Sequence, residues 1–253
     1  MAVNALDILK HAFGSLKTPV GQKVVGLFFL VQALNIGGTL LMESGSGTMI
    51  GISVALSLVA ALVGVISTIG GLRAFREGEF SKEMFTENLV WPFGRILGAN
   101  ITTAILAYAL GFLFILPAGI LAMLSGAATP SGVAASGGLT MILGILGLIM
   151  GLGAFFYVTV ALILSQPLLA IDDRRLFQAL DESIQRTKGH RSSIFVALLG
   201  LVLVYLLLWA VFAAIGAVGP DFITMLGLLV VGPIVTSASL SLLNYLTEEL
   251  PEA

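Results

Sequence analysis

Cysteine is absent from this sequence of 253 residues, and histidine occurs only twice, at His11 and His190. The absence of cysteine excludes disulfides, thiolate chemistry and cysteine-based metal sites. Neither histidine belongs to an HExxH motif or to another spacing that would hold zinc. The chain also has no GxSxG elbow, no GxxxxGK[ST] loop and no complete GxGxxG. We therefore expect no catalytic residue, no cofactor and no metal, and a protein that is not an enzyme.

Charge is scarce as well. Charged residues make up 10% of the chain and hydrophobic residues 58%, where soluble domains have roughly 25% and 45–50%. A soluble protein of this length needs more charge to solvate its surface. The net charge of −2, without a dense basic run, predicts no nucleic-acid partner. The composition indicates a membrane protein whose first partner is the lipid bilayer.

Long apolar runs define the architecture. A spanning helix needs about 20 mostly apolar residues, and lipid leaves no partner for an open strand. We predict one all-α integral membrane domain over residues 1–253, a polytopic bundle of six spans in three hairpins. The spans cover about residues 24–42, 49–72, 96–116, 139–168, 194–218 and 222–246.

Lysine and arginine give the orientation. All 12 lie in residues 1–23, 73–95 and 174–191, and the three hairpins between those segments contain none. Cytoplasmic loops carry the excess of these residues. The distribution predicts a cytoplasmic (plasma) membrane protein with both termini in the cytoplasm.

The connection at residues 125–138 consists of small, uncharged residues. We interpret it as a flexible external loop. The alternative is a re-entrant segment, with a helix break at Pro117. It is less favoured, since no polar filter residues accompany it.

Each inner segment also shows an amphipathic pattern that predicts a helix in the cytoplasmic interface. In the second segment, residues 80–91 give a looser pattern that ends at Pro92. In the third segment, Asp172 or Asp173 is the predicted N-cap of the helix, and Gly189 is its predicted C-terminal stop. The predicted apolar stripes are Leu6, Leu9, Phe13 and Leu16 in the first segment and Leu176, Phe177, Leu180 and Ile184 in the third.

No Asp, Glu, Lys, Arg or His lies in the middle of a span, which argues against proton relays, voltage sensing and coupling through a buried carboxylate. The polar residues inside the spans are neutral. The candidate polar intramembrane face consists of Gln32, Asn35, Asn100, Ser237 and Asn244. Such residues commonly form hydrogen bonds between helices. If they instead converge on one cavity, they favour a permease for a neutral or amphipathic solute, with a kink at Pro233.

The densest basic cluster suggests a different role. Its candidate contacts to lipid or to a partner are Arg174, Arg175, Arg186, Lys188 and Arg191. From these we predict a non-catalytic membrane scaffold, partner subunit or lipid-environment module acting through its cytoplasmic interface. A homo-oligomer is a further possibility, because Gly147 and Gly151 form a GxxxG motif. A lipid-modifying enzyme would need a site at Asp172 and Asp173, which we interpret instead as a helix N-terminus.

Residues 166–190 also carry a family resemblance. A span ends near Pro167, an acidic pair follows, and then come Ala179-Leu180, Ser183 and Thr187-Lys188-Gly189. This pattern resembles a broad set of uncharacterised prokaryotic and archaeal six-span proteins, domains of unknown function, including the membrane domain fused to some glycerophosphodiester phosphodiesterases. The resemblance implies a membrane domain without phosphodiesterase activity, because the catalytic residues of that enzyme have no counterpart here.

Overall fold

The computed structural model describes residues 4–43, 46–126, 133–172, 174–218 and 222–250. Within these ranges the chain is helical and has no β-strand, which confirms the predicted all-α class. The α-helices of this described part are α1 (Ala5–Ser15), α2 (Pro19–Glu43), α3 (Gly47–Glu77), α4 (Val90–Gly126), α5 (Val133–Leu162), α6 (Ser165–Ala170), α7 (Leu176–Thr187), α8 (Arg191–Val218) and α9 (Phe222–Glu249).

Among the described residues, five helical stretches are long and apolar enough to cross a membrane: Pro19–Glu43, Gly47–Glu77, Ile145–Ala170, Arg191–Gly216 and Met225–Glu249. The helix of the predicted third span, α4, is not one of the five. Large apolar side chains cover the outside of these stretches, as Leu30, Leu58 and Leu207 do with 60%, 62% and 67% exposure. Lipid satisfies such a surface and water does not.

Neighbouring helices pack in pairs, α2 with α3, α4 with α5 and α8 with α9, while α9 also contacts α2, α1 and α3. The hydrophobic core lies at the end of the bundle that carries the lysines and arginines. Its fully buried residues include Ile8, Ile69, Leu168 and Leu246. We call this end the inner end. The short helices α1, α6 and α7 complete the core there.

Helix α1 confirms the helix predicted in the first inner segment, and its most deeply buried residues lie beside the predicted stripe. Asn4 caps it by accepting a hydrogen bond from the Leu6 amide at 3.1 Å. Ile8 and Ala12 are fully buried, whereas Leu6 is 55% exposed. The other three residues of the predicted stripe, Leu9, Phe13 and Leu16, are partly buried against the core. The small Ala12 permits close contact between α1 and its neighbours α8 and α9.

The second interfacial helix, predicted over residues 80–91, is wrong. The segment contains one 3₁₀ turn at Glu83–Phe85, and α4 begins at Val90. Pro92 therefore lies in the first turn of α4 rather than ending a helix, since its missing N–H costs nothing there. Arg73 holds the irregular chain, because its Nη1 donates to the Glu87 carbonyl at 2.8 Å and its Nε to the Ala170 carbonyl at 3.2 Å.

The long external connection is shorter than predicted. Helix α4 runs through Pro117 to Gly126 without a break, and α5 begins at Val133. Only residues 127–132 of the predicted loop lie outside the described residues. Neither the break at Pro117 nor a re-entrant segment appears in the described part of this stretch. Gly147 and Gly151 of the GxxxG motif are buried by the chain itself, so they do not present a free face for a second copy.

The predicted fourth span is interrupted near its inner end. Helix α5 ends at Leu162 and α6 begins at Ser165. The Ser183 hydroxyl of α7 donates to the Ala161 carbonyl at 2.8 Å and accepts from the Leu164 amide at 3.1 Å. One buried hydroxyl thus satisfies backbone groups that the break would leave unpaired.

Helix α7 confirms the helix predicted in the third inner segment, but its buried face is rotated from the predicted stripe. Leu180 is buried and Leu176 partly buried as predicted, whereas Ile184 is 39% exposed. Ala179, Ser183 and Thr187 are fully buried, while Phe177 is 79% exposed. Small side chains allow the close approach to α5 that a phenylalanine would prevent. The predicted aspartate N-cap is wrong because Arg175 occupies that position; Asp173 itself is outside the described residues. Gly189 follows the helix with φ +90°, as the predicted stop requires.

Candidate functional site

A cavity of about 330 Å³ lies between α2, α3, α4, α6 and α9. We call it the polar cavity, because its walls carry four side-chain amides and two threonine hydroxyls. These polar groups belong to Gln32, Asn35, Thr68, Asn100, Gln166 and Thr236. None of the described residues that line it is ionisable. The chain therefore places hydrogen-bonding groups around a space without any fixed charge.

Three of the five predicted polar residues meet here. Gln32 and Asn35 are three residues apart on α2 and therefore share a face, and Asn100 reaches the same cavity from α4. Neither the Gln32 nor the Asn35 side-chain amide has a hydrogen-bond partner within the described part of the chain. Two amides are thus left with free donors and acceptors at the cavity wall.

Glycine makes this space. Gly232 leaves room for Gln32, since a Cβ at residue 232 would lie 3.6 Å from the Gln32 Cδ. Gly64 faces the cavity from α3, and a Cβ there would lie 3.7 Å from the Val31 Cγ1, an ordinary contact. Both positions tolerate a Cβ, but a larger side chain at either would occupy the cavity.

Gln166 is the site residue that the polar-face prediction missed. Its Nε2 donates to the Asn100 Oδ1 at 2.8 Å. Both amides line the polar cavity and also a second cavity of about 150 Å³, whose other polar residues are Thr103, Thr159 and Ser165. The Asn100–Gln166 pair therefore lies between two polar spaces. An amide directly before Pro167, at the end of a long apolar run, is the sequence signal that points to it.

The other two predicted polar residues lie elsewhere on α9. Ser237 is fully buried, and its hydroxyl has no hydrogen-bond partner among the residues described; the adjacent Thr236 lines the cavity instead. Asn244 donates to the Glu248 Oε1 at 3.0 Å and lines a separate space of about 300 Å³ between α1, α3 and α9. The polar run of α9 thus serves several contacts rather than one face.

The residues of the predicted basic cluster do not form one surface, because some are buried and others are exposed. Arg186 is only 4% exposed; its Nε donates to the Glu182 Oε1 at 3.0 Å and its Nη1 to the Thr247 carbonyl at 3.3 Å. Arg174 lies on the other oxygen of the same carboxylate, at 3.4 Å. Arg186 is therefore a buried contact between α7 and α9 and not a surface contact to lipid, because the rotation of α7 turns it inward.

The remaining basic residues are accessible in different ways. Arg175 and Lys188 are exposed at the two ends of α7. Arg191, the first residue of α8, lines a groove between α5 and α8. Within the described ranges, no group of three or more histidines and carboxylates could hold a metal ion.

Comparison with known proteins adds no relationship: no family model, no curated protein and no solved structure matches the chain. The resemblance of residues 166–190 to uncharacterised six-span proteins stays a prediction. The structure gives those residues a physical role nonetheless, since Ser183 bridges the break between α5 and α6 and Thr187 donates to the Ser183 carbonyl at 2.8 Å.

Proposed function

We propose that the chain is a six-span membrane domain in three hairpins, with both termini and helices α1 and α7 on the cytoplasmic side. The paired packing of the long helices supports the hairpins, with α4 supplying the sixth span. The confinement of all 12 lysines and arginines to three segments supports the orientation. A reporter fused at Ser46, between the first two spans, is expected to report an external position, and a cytoplasmic one would overturn this topology.

We further propose that the protein is a permease for small, uncharged, polar solutes, with the polar cavity as its binding site. The observation that carries this proposal is the convergence of Gln32, Asn35 and Asn100 on one cavity. Unpaired amides offer both donors and acceptors, which match hydroxyl and amide groups on a solute. The lack of charge around them favours a neutral solute, because an ion would enter without compensation for its lost hydration.

Pro233 of α9 belongs to the cavity wall. A proline inside a helix removes one backbone hydrogen bond and leaves a carbonyl free, so the helix is weakest at that residue. A weak point beside a binding site allows one end of α9 to move while the other stays fixed in the core. This arrangement suits a permease, whose binding site must open to one side at a time.

The test is solute entry into proteoliposomes, followed by light scattering with glycerol, urea and xylitol. The double variant Gln32→Leu with Asn35→Leu removes both free amides and should reduce protein-dependent entry by at least about tenfold. Gln22→Leu is the matched control on the same helix, since Gln22 lies outside the cavity and donates to the Lys17 carbonyl at 3.3 Å. Equal entry in the wild type and the double variant would refute the assignment.

The second candidate is a module that acts on lipid or on a partner at the cytoplasmic interface. It is favoured by the exposure of Arg175 and Lys188 together with Phe177, which is 79% exposed on the same helix. Cations beside an outward-facing aromatic ring suit the headgroup region of a membrane. Loss of co-purified lipid or protein in Arg175→Glu with Lys188→Glu, with solute entry unchanged, would support this role.

A further inference from the structure

A second concave surface, of about 280 Å³, lies between α5 and α8 and shares no helix with the polar cavity. We call it the arginine groove. Its walls are mainly apolar and aromatic, with Gly153, Phe156, Val160 and Phe195. Among the described residues that line it, Arg191 is the only ionisable side chain apart from the Tyr157 phenol. An apolar groove with one cation matches an amphipathic anion, which has a charged group and an apolar chain. It does not match a small polar solute.

Arg191 is held firmly in this groove. Its guanidinium lies over the Tyr157 ring, 4.8 Å from the centroid, and Nη1 donates to the Tyr157 hydroxyl. Nη2 donates to the Ile184 carbonyl at 3.2 Å. Neutral partners therefore fix the position of the charge and leave it uncompensated.

Two observations concern the partners of Arg191. No carboxylate of the described residues forms an ion pair with it, in contrast to Arg186 and Arg174, which share Glu182. Its Nε is buried and has no hydrogen-bond partner among those residues. A buried donor on a charged group costs free energy until an acceptor reaches it, and an anionic acceptor gives the strongest bond.

The position of the charge identifies the anion. Arg191 begins α8 at the inner end of the bundle, where the membrane surface carries the phosphates of the lipids. Ser192 lines the groove beside it, and the first amides of a helix have no partner within the helix. Gly153 and Phe156 lie on α5 farther from the inner end, so the groove leads from the charge toward the apolar interior.

We infer that the arginine groove binds one anionic phospholipid of the inner leaflet. The phosphate accepts hydrogen bonds from Arg191 and the first turn of α8, and an acyl chain lies against Phe156, Val160 and Phe195. The site is distinct from the solute cavity, and the inference does not depend on the permease proposal. Its occupant is a membrane lipid rather than a soluble anion, because the groove beyond the charge offers only apolar contacts.

Native mass spectrometry of the purified protein with equal amounts of phosphatidylglycerol and phosphatidylcholine tests the inference. The wild type is expected to retain one phosphatidylglycerol in preference to phosphatidylcholine. Arg191→Gln should reduce that preference about tenfold, since it removes the charge-assisted bond. Lys17→Gln removes an equal charge from an exposed position just after α1 and is the matched control, for which no change is expected.

A second variant separates the groove from the charge. Gly153 lines the groove, and a Cβ at this position would meet no atom within 4 Å, so Gly153→Leu is expected to narrow the groove without a clash with the fold. It should abolish the preference although Arg191 is intact. Retention of phosphatidylglycerol in both Arg191→Gln and Gly153→Leu, or an equal loss in Lys17→Gln, would overturn the site. Displacement of the lipid by palmitate would overturn its assignment to a phospholipid.

Discussion

The polar cavity and the arginine groove differ in the chemistry of the side chains that line them. Among the described residues, the cavity has four amides and no charge, and the groove has one charge and no amide. Glycines line both, Gly64 and Gly232 in the cavity and Gly153 in the groove. The two sites therefore differ in the polar side chains around them. A solute that must leave again suits weak, neutral contacts, whereas a resident lipid suits a fixed charge.

The two sites use different helices, yet α7 joins them. Ser183 bonds to the carbonyl of Ala161 in α5, which forms one wall of the groove. Arg186 bonds to the carbonyl of Thr247 in α9, which forms one wall of the cavity. Whether the two sites are independent can be tested by substituting leucine for a glycine in each site. Whether both depend on α7 can be tested by a substitution in α7.

The largest expected effect comes from comparing a variant that blocks the polar cavity with one that blocks the arginine groove. Gly64→Leu fills the polar cavity and should abolish entry of glycerol and urea while phosphatidylglycerol stays bound. Gly153→Leu should do the reverse, because each leucine occupies only its own space. We would measure solute entry and lipid retention for both variants. Each variant should lose one property and keep the other. Loss of both properties in one folded variant would show that the sites are coupled.

A smaller effect, on both sites at once, is expected from Arg186→Gln. The substitution leaves Glu182 in a largely buried position with Arg174 as its remaining partner, so the free energy of unfolding should fall by about 3 kcal/mol. Arg175→Gln, one residue before α7, should change it by less than about 0.5 kcal/mol. Thermal unfolding in detergent distinguishes the two. Equal stability of Arg186→Gln and the wild type would remove α7 as the common support.

The smallest effect is expected from Gln166→Leu, and it should concern the polar cavity alone. The variant deprives the Asn100 Oδ1 of its donor at an exposed position, which should lower the free energy of unfolding by only about 0.5–1 kcal/mol. Since the pair separates two polar spaces, its loss should also raise xylitol entry relative to glycerol entry, with phosphatidylglycerol retention unchanged. Light scattering with the two polyols measures the ratio; an unchanged ratio would mean that the pair does not limit solute size.

Hydropathy predicted the long helices and placed Gln32 and Asn35 on one face, because length and periodicity depend on neighbours in sequence. Hydropathy was less successful at predicting which residues of the short helices are buried, because close packing between helices determines that. The predicted stripes correctly included Leu9 and Leu180, but they also included the exposed Leu6 and Phe177. They omitted Ala12 and Ser183, which are fully buried. In a membrane protein a large apolar side chain is satisfied by lipid, so small residues take the interior. The inward turn of Arg186 and the Asn100–Gln166 contact join residues distant in sequence, which periodicity does not report.

The Ser183 hydroxyl has a consequence for the order in which the chain is made. It stabilises the interruption between α5 and α6, yet it follows Leu164 by 19 residues. During synthesis the earlier segment emerges first, at a time when Ser183 has not yet been added. The inner end of the fourth span therefore acquires its final shape only when α7 arrives, and the last hairpin, α8 with α9, is still to come.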